Sequence, residues 1–156
     1  MSTIILAPYP AKLFSGSRNP KEYPWWPEVV RQLLILGHRI VQIGVAGEQR
    51  IEGVSEFILP RLDEITDIIN NADTWLTVDS FLPHYCHTYN LKSGVVIWSL
   101  SDPAIWGHKE NINLLKSRTY LRSLQFKDWM SEAYNPDAFV SPEEVVAAVQ
   151  AKLGVA

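Results

Sequence analysis

Three short segments of this sequence carry side chains that could bind or act on a ligand. The first is Asp79-Ser80-Phe81-Leu82-Pro83-His84, where a carboxylate, a hydroxyl and then an imidazole follow directly on the apolar run Trp75–Val78. Polar groups released at the carboxyl end of a buried strand sit where open α/β sheets bind ligands. A turn there would offer backbone N–H groups, the Ser80 hydroxyl and the His84 ring to one ligand. The plainer alternative is that Asp79 or Ser80 merely caps the helix that follows. The second segment, Ser15-Gly16-Ser17-Arg18-Asn19-Pro20-Lys21, sets hydroxyls, a glycine and two cations just ahead of a helix start. Phosphates favour such a place, because free N–H groups and the helix dipole both favour an anion. The G-x-x-x-x-G-K spacing of a Walker loop is absent, and a solvated loop is the competing reading. Two such turns at neighbouring strand ends would form one cleft. The third segment, Ser101-Asp102-Pro103-Ala104-Ile105-Trp106-Gly107-His108, follows the strand ending at Trp98. Its Asp-Pro step favours a turn, and Trp106-Gly107 could bring an indole and bare backbone to a ligand or simply pack the loop.

His84-Tyr85-Cys86-His87 puts two imidazoles at i and i+3, on one helix face. Structural zinc takes four ligands and catalytic zinc three protein ligands. No second cluster is visible in the sequence, so no metal is expected, and Cys86 reads as a half-buried small apolar residue. That single cysteine forms no intrachain disulfide, which agrees with a reducing cytoplasm, and no motif around it marks a nucleophile.

Strands and helices alternate along the chain that carries these groups. Thr3–Ala7 reads as a strand that stops at Pro8, and a long Pro-, Ser- and Gly-containing loop runs on to Tyr23. Loops of that length inside a compact domain are usually functional. From Pro24, the residues Trp26, Val29, Val30, Leu33 and Leu34 recur at helical spacing until Gly37 stops the helix, and Arg39–Ile43 is the next strand. The stretch from Glu48 to Phe57 is ambiguous and could be a loop plus a short helix, with a brief strand at Phe57–Leu59. Leu62, Ile65, Ile68, Ile69 and Ala72 form a helical stripe, with Asp63, Glu64 and Asp67 on the wet face. Strand Trp75–Val78, helix Leu82–Tyr89, strand Gly94–Trp98 and a short strand Asn113–Leu115 follow. Ser141-Pro142-Glu143-Glu144 is a capping box opening a helix to about Lys152. Strand and helix in alternation argue an α/β domain, a parallel sheet with helices on both faces.

Composition narrows the class. With 156 residues, 47% hydrophobic and 20% charged, the chain fits one globular domain, 1–156, and not a disordered one. A net charge of -3 with scattered Lys and Arg leaves no footprint for nucleic acid or an anionic membrane surface. The short apolar N-terminus is broken by Pro8 and Pro10 and has no basic leader, and no apolar stretch approaches the ~20 residues that span a bilayer. Six tryptophans in so short a chain are available to a core, a pocket or an interface.

Taken together, these segments resemble the nucleotide-sugar-binding, C-terminal half of the ADP-heptose:lipopolysaccharide heptosyltransferases, family 9 glycosyltransferases of GT-B architecture. The family's hydroxyls followed by K-x-W-P resemble Ser17 and then Lys21-Glu22-Tyr23-Pro24. Its strand, Gly-rich turn and glutamate resemble Ile43-Gly44 through Glu48, and its helix and strand before the next motif resemble Leu62 to Val78. Its D-[TS]-G-x-x-H corresponds to Asp79 through His84, and its T-x-P loop resembles Ser101-Asp102-Pro103 with Trp106-Gly107. The likeness runs from residue 3 to about residue 116 and rests on order and spacing.

The resemblance implies a Rossmann-like domain that binds a nucleotide-sugar or nucleoside diphosphate. Ser17, Lys21 and the Ser80 turn would hold the phosphates, Glu48 the ribose hydroxyls, and the backbone near Leu62 would face the base. The residues expected around the ligand are Ser15, Ser17, Arg18, Lys21, Glu48, Leu62, Asp79, Ser80, Phe81, His84 and Asp102. Phe81 stands where the family has a glycine, so its side chain must point away or the diphosphate must sit differently. The tail from Tyr120 to Trp129 would return along the sheet and close the core. In the family a separate acceptor-binding domain supplies the catalytic base, and the likeness does not include it. Glycosyl transfer would therefore need a partner chain or a second copy. A non-catalytic nucleotide-binding module and an interaction protein that lost the ligand are the alternatives. A cytoplasmic protein without cofactor is the accompanying expectation.

Overall fold

The computed structural model describes residues 1–155. Six strands form one sheet: β1 (Thr3–Ala7), β2 (Arg39–Ile43), β3 (Glu56–Ile58), β4 (Thr74–Val78), β5 (Val95–Ile97) and β6 (Ile112–Leu114). Their order is β3-β2-β1-β4-β5-β6 and every pairing is parallel. The chain builds outward from β1 to β3, then crosses back to lay β4 beside β1 and continues the other way. The junction of β1 and β4 is thus the point where strand order reverses, and the loops leaving those two strands diverge to opposite faces.

Strand residues alternate between two cores, as a period of two requires. Ile4, Leu6, Leu76 and Val78 pack with Val29, Val30 and Leu33 of α1 (Trp26–Ile35) and with Val145 and Val149 of α5 (Pro142–Leu153). Ile5, Ala7, Trp75 and Val96 pack on the other face with Ile65 and Ile69 of α2 (Ile65–Asn70) and with Leu82 and Cys86 of α3 (Phe81–Thr88). Helices on both faces explain why the strands read as unbroken apolar runs. The two edge strands are three residues each, which limits the unpaired backbone they present. Gly94 has no side chain because Trp75 occupies the place a Cβ would take. Of the six tryptophans, Trp26, Trp75 and Trp98 are core residues. Each of these three indoles donates its N–H, to Pro8 O, Lys92 O and Asn113 Oδ1 respectively.

The α/β architecture expected from the sequence is the one observed. Five local expectations change. The segment after Glu48 holds no helix: buried Gln42 receives the Ile51 N–H and donates to Gln49 O, drawing the loop onto β2. The stripe from Leu62 to Ala72 shortens, because Leu62 lies in a 3-10 turn (Leu62–Glu64) and is exposed, while Ala72 follows the helix. Residues 103–106, read as a loop, form the short helix α4 (Pro103–Trp106). Cys86 is fully buried, and burial pushes its thiol up to about 12. Of the tail from Tyr120 to Trp129, expected to close the core, Tyr120 packs against it but Leu124 and Phe126 are exposed. Arg122 gathers the carbonyls of Leu124 and Gln125, and Gln125 ties to Leu100 O and the Asp102 N–H, curling this tail over the carboxyl edge of the sheet. Ala138, Phe139 and Val140 fill the core in its place. No helix among the described residues is long and apolar enough to cross a membrane.

Candidate functional site

A cleft of about 860 Å³ opens at the carboxyl edge of the sheet, over the β1/β4 junction. The loop after β1 contributes Tyr9 and Lys21, the turn after β2 Gly44 and Glu48, the segment after β3 Leu62, the turn after β4 Asp79 and Ser80, and α3 Phe81 and His84. Trp129, from the curled tail, closes one side. Seven of the sequence-derived candidates, Lys21, Glu48, Leu62, Asp79, Ser80, Phe81 and His84, meet in this one cleft. Ser17 and Arg18 line an adjoining hollow of about 360 Å³ that shares Glu48 with it. Ser15 is exposed and its hydroxyl accepts the Ser17 N–H within its own loop.

Asp102 stands apart from the cleft residues. It caps α4 by accepting the Ala104 N–H at 2.9 Å and takes a two-pronged bond from Arg118, at 3.1 and 2.6 Å. The Arg118 bonds are the main reason its carboxyl lies below the ordinary carboxylate range. Both of its oxygens are committed to holding the loop after β5.

The cations of the loop after β1 are also engaged. Lys21 Nζ lies 2.8 Å from Asp79 Oδ2 and 3.9 Å above the centre of the Trp129 ring. Both side chains of the ion pair are largely covered, so the charges meet at reduced dielectric. Arg18 stacks 3.9 Å over Tyr134 and reaches Glu22 at 3.5 Å. Trp129 and Tyr134 are the members of this region that sequence reasoning missed. Aromatic residues far along the chain carry no signal that they will stack on Lys21 and Arg18.

The turn after β4 differs. Ser80 occupies the N-cap position of α3 in extended conformation, yet its side chain makes no cap bond. Its hydroxyl turns back to Val78 O and Thr77 Oγ1. The N–H groups of Phe81 and Leu82, first-turn donors without intrahelical partners, are therefore not capped by it. The Phe81 ring is half exposed and lies edge-on to Tyr85. Across the cleft, Glu48 accepts the Val45 N–H at 2.9 Å. Burial raises its carboxyl above the ordinary value, opposed by that N–H and by Lys12.

At the rim, where the sequence shows no second metal-ligating cluster, the fold supplies one. His84 Nδ1 lies 2.8 Å from His108 Nε2, His87 Nδ1 lies 2.6 Å from Glu110 Oε2, and the His87 and His108 rings stack at 3.9 Å. His87, His108 and Glu110 each bring one donor atom within 4.8 Å of the others. The signal was the His-x-Glu pattern of the next strand-end loop.

No protein-family model and no curated protein sequence matches the chain. Solved structures do. E. coli ADP-heptose lipopolysaccharide heptosyltransferase II superposes with a TM-score of 0.71 at 18% identity, over 97% of this chain and 46% of that one. The chain has the α/β fold of the heptosyltransferases. The dodecameric iron-containing heptosyltransferase TibC, in complex with ADP-D-β-D-heptose, matches 98% of this chain with a TM-score of 0.58 at 17% identity. E. coli heptosyltransferase WaaC, with ADP-2-deoxy-2-fluoro heptose, matches 72% with a TM-score of 0.54 at 18% identity. The resemblance read from the sequence thus holds at the level of the fold. The chain spans less than half the length of each of these structures.

Proposed function

We propose that the cleft over β1 and β4 binds a nucleotide-sugar or nucleoside diphosphate, as the donor-binding half of a GT-B glycosyltransferase does. The observation that carries this reading is the uncapped N-terminus of α3 opening beside Lys21 on one cleft at the strand-order reversal. A diphosphate there would accept the Phe81 N–H along the helix dipole and take charge from Lys21. His84 adds an imidazole at the same end, and Ser17 lies in the adjoining hollow. Glu48 suits a pair of ribose hydroxyls, since a carboxylate accepts two hydrogen bonds at once. Exposed Leu62 offers an apolar face to a base. Two of the solved structures with this fold hold ADP-sugars, which supports the same ligand class.

As an enzyme, this chain would stabilise the departing diphosphate through Lys21 and the α3 amides. The acceptor hydroxyl needs a base near it, which a partner chain or a second copy would bring. A second reading, binding without transfer, is favoured by the Lys21–Asp79 pair, because a lysine shared with a carboxylate gives less to a leaving anion. A thermal-shift and calorimetric panel of nucleoside diphosphates and nucleotide-sugars tests both readings. Binding at 100 times Kd adds about 2.7 kcal/mol of stability, and Lys21→Ala should weaken it. No shift with any nucleotide at millimolar concentration removes the ligand class. Sugar transfer or release that is lost in Lys21→Ala decides for the enzyme, and an intact ligand after long incubation decides for the binder.

A further inference from the structure

We propose that His87, His108 and Glu110 form a binding site for one divalent transition-metal ion of the zinc class, with His84 as a positioning residue. The site does not depend on the nucleotide reading. Three of the chain's four histidines converge here, from two segments that are separate in sequence. Two imidazole nitrogens and one carboxylate oxygen are a donor set that zinc accepts with an open fourth position, and imidazole suits zinc and its neighbours better than magnesium or calcium.

The scaffold holds the donors in place. On one side, α3 is anchored by Leu82 and Cys86 in the core, which presents His84 and His87 outward at i and i+3. On the other, the loop carrying His108 and Glu110 is pinned by two asparagines. Asn111 Oδ1 accepts the Gly94 N–H, and Asn113 donates to His108 O while accepting the buried Trp98 indole. Lys152 holds Glu110 O from α5. Tetrahedral ligands at zinc distances lie about 3.4 Å apart, so donors now within 4.8 Å need only side-chain rotations to close on an ion. The stacked rings of His87 and His108 turn their nitrogens inward in that step. Outer partners that fix a liganding imidazole strengthen metal binding, and His84 does this by holding His108 Nε2. Because His84 also lines the cleft, the ion would stand at its rim.

The test is titration of the full chain, stripped with a chelator, with Zn²⁺ by calorimetry and with Co²⁺ by visible absorption. The expected result is one ion per chain with a Kd tighter than about 10 µM. His87→Ala and Glu110→Gln should each weaken it by at least about ten-fold, with unchanged circular dichroism since both side chains are exposed. His38→Gln, remote in sequence and hydrogen-bonded to Gln150, should leave the affinity unaltered. A weaker Kd, affinity retained within ten-fold in either ligand variant, or loss in His38→Gln overturns the proposal, leaving the cluster as a hydrogen-bonded link between α3 and the loop.

Discussion

Two turns face each other across the cleft, and they present positive charge in opposite ways. The loop after β1 carries formal cations, Lys21 and Arg18, and the fold has engaged both, with Asp79 and Trp129 on one and Glu22 and Tyr134 on the other. The turn after β4 carries no cation, only backbone dipoles, and Ser80 leaves the α3 amides uncapped. A lysine already neutralised adds to anion binding only by what it can share, whereas an unpartnered N–H adds its full hydrogen bond. Residue type alone therefore misranks the two turns: the cation-rich loop is the more self-satisfied one.

The largest effect comes from breaking the pair that joins the turns. Asp79→Ala leaves the largely covered Lys21 ammonium without its carboxylate, which should cost about 3 kcal/mol in urea unfolding. Asp79→Asn keeps the shape while freeing Lys21 from a competing charge, and should tighten nucleoside diphosphate binding by about ten-fold in calorimetry. An unchanged or weaker affinity would mean that Asp79 contacts the ligand itself.

Next comes the amide side. Ser80 is extended, as a residue before proline must be, and position 81 opens a helix, where proline is tolerated. Phe81→Pro should therefore fold normally and delete one N–H donor at the cleft. Diphosphate affinity should fall about ten-fold while the melting temperature moves little. If affinity holds, the anion does not use the α3 amides and the contrast between the turns loses its meaning.

What the sequence made legible follows the same division between local and long-range. Strands such as Thr74–Val78, helix α5 with its Ser141 cap, and the Gly37 stop are written in neighbouring residues, and they appear within a residue or two of expectation. The cleft was legible through strand ends, since the Asp79 turn directly follows the apolar run of β4 and the Ser15–Lys21 segment lies in the loop that leaves β1. Contacts that depend on strand order were not. Lys21 meets Asp79 because β4 returns to lie beside β1, and His87 meets Glu110 because the loop after β5 comes back to α3. Leu62 shared the helical stripe's period, but the helix begins after it, so the residue faces the cleft and not the core. Trp129 and Tyr134 sit in a segment without periodicity, where only the folded chain shows which cation they cover.

Asp102 serves as a control outside the cleft. Removing its cap and Arg118 contact by Asp102→Ala should cost about 1 kcal/mol and leave diphosphate affinity unaltered. The pH dependence has a definite sign. Its folded carboxyl lies below the ordinary value of 3.8, held there chiefly by Arg118. The charged form is thus favoured in the folded state, and the stabilisation is complete above the unfolded value and lost as pH falls through the folded one. Urea melts in acid should show the gap between wild type and Asp102→Asn closing below pH 3.8. A gap that persists there would assign the effect to packing.

The smallest effect is expected at Arg18, and it decides how far the contrast extends. Its side chain is 47% exposed, with a stacking partner in Tyr134 and a loose ion pair to Glu22 at 3.5 Å. Exposed pairs and stacks of this kind contribute at most about 1 kcal/mol. Arg18→Ala should therefore change stability slightly and diphosphate affinity by no more than about two-fold, the scale of a rim charge in salt. The adjoining hollow gives the guanidinium a second option, because Arg18 and Ser17 both line it beside Glu48. Were the ligand to extend into that hollow, Arg18 would have to leave Tyr134, and its loss would then cost as much as the loss of the Phe81 amide. A ten-fold drop in Arg18→Ala would reassign the loop after β1 from self-satisfied scaffold to a second anion contact.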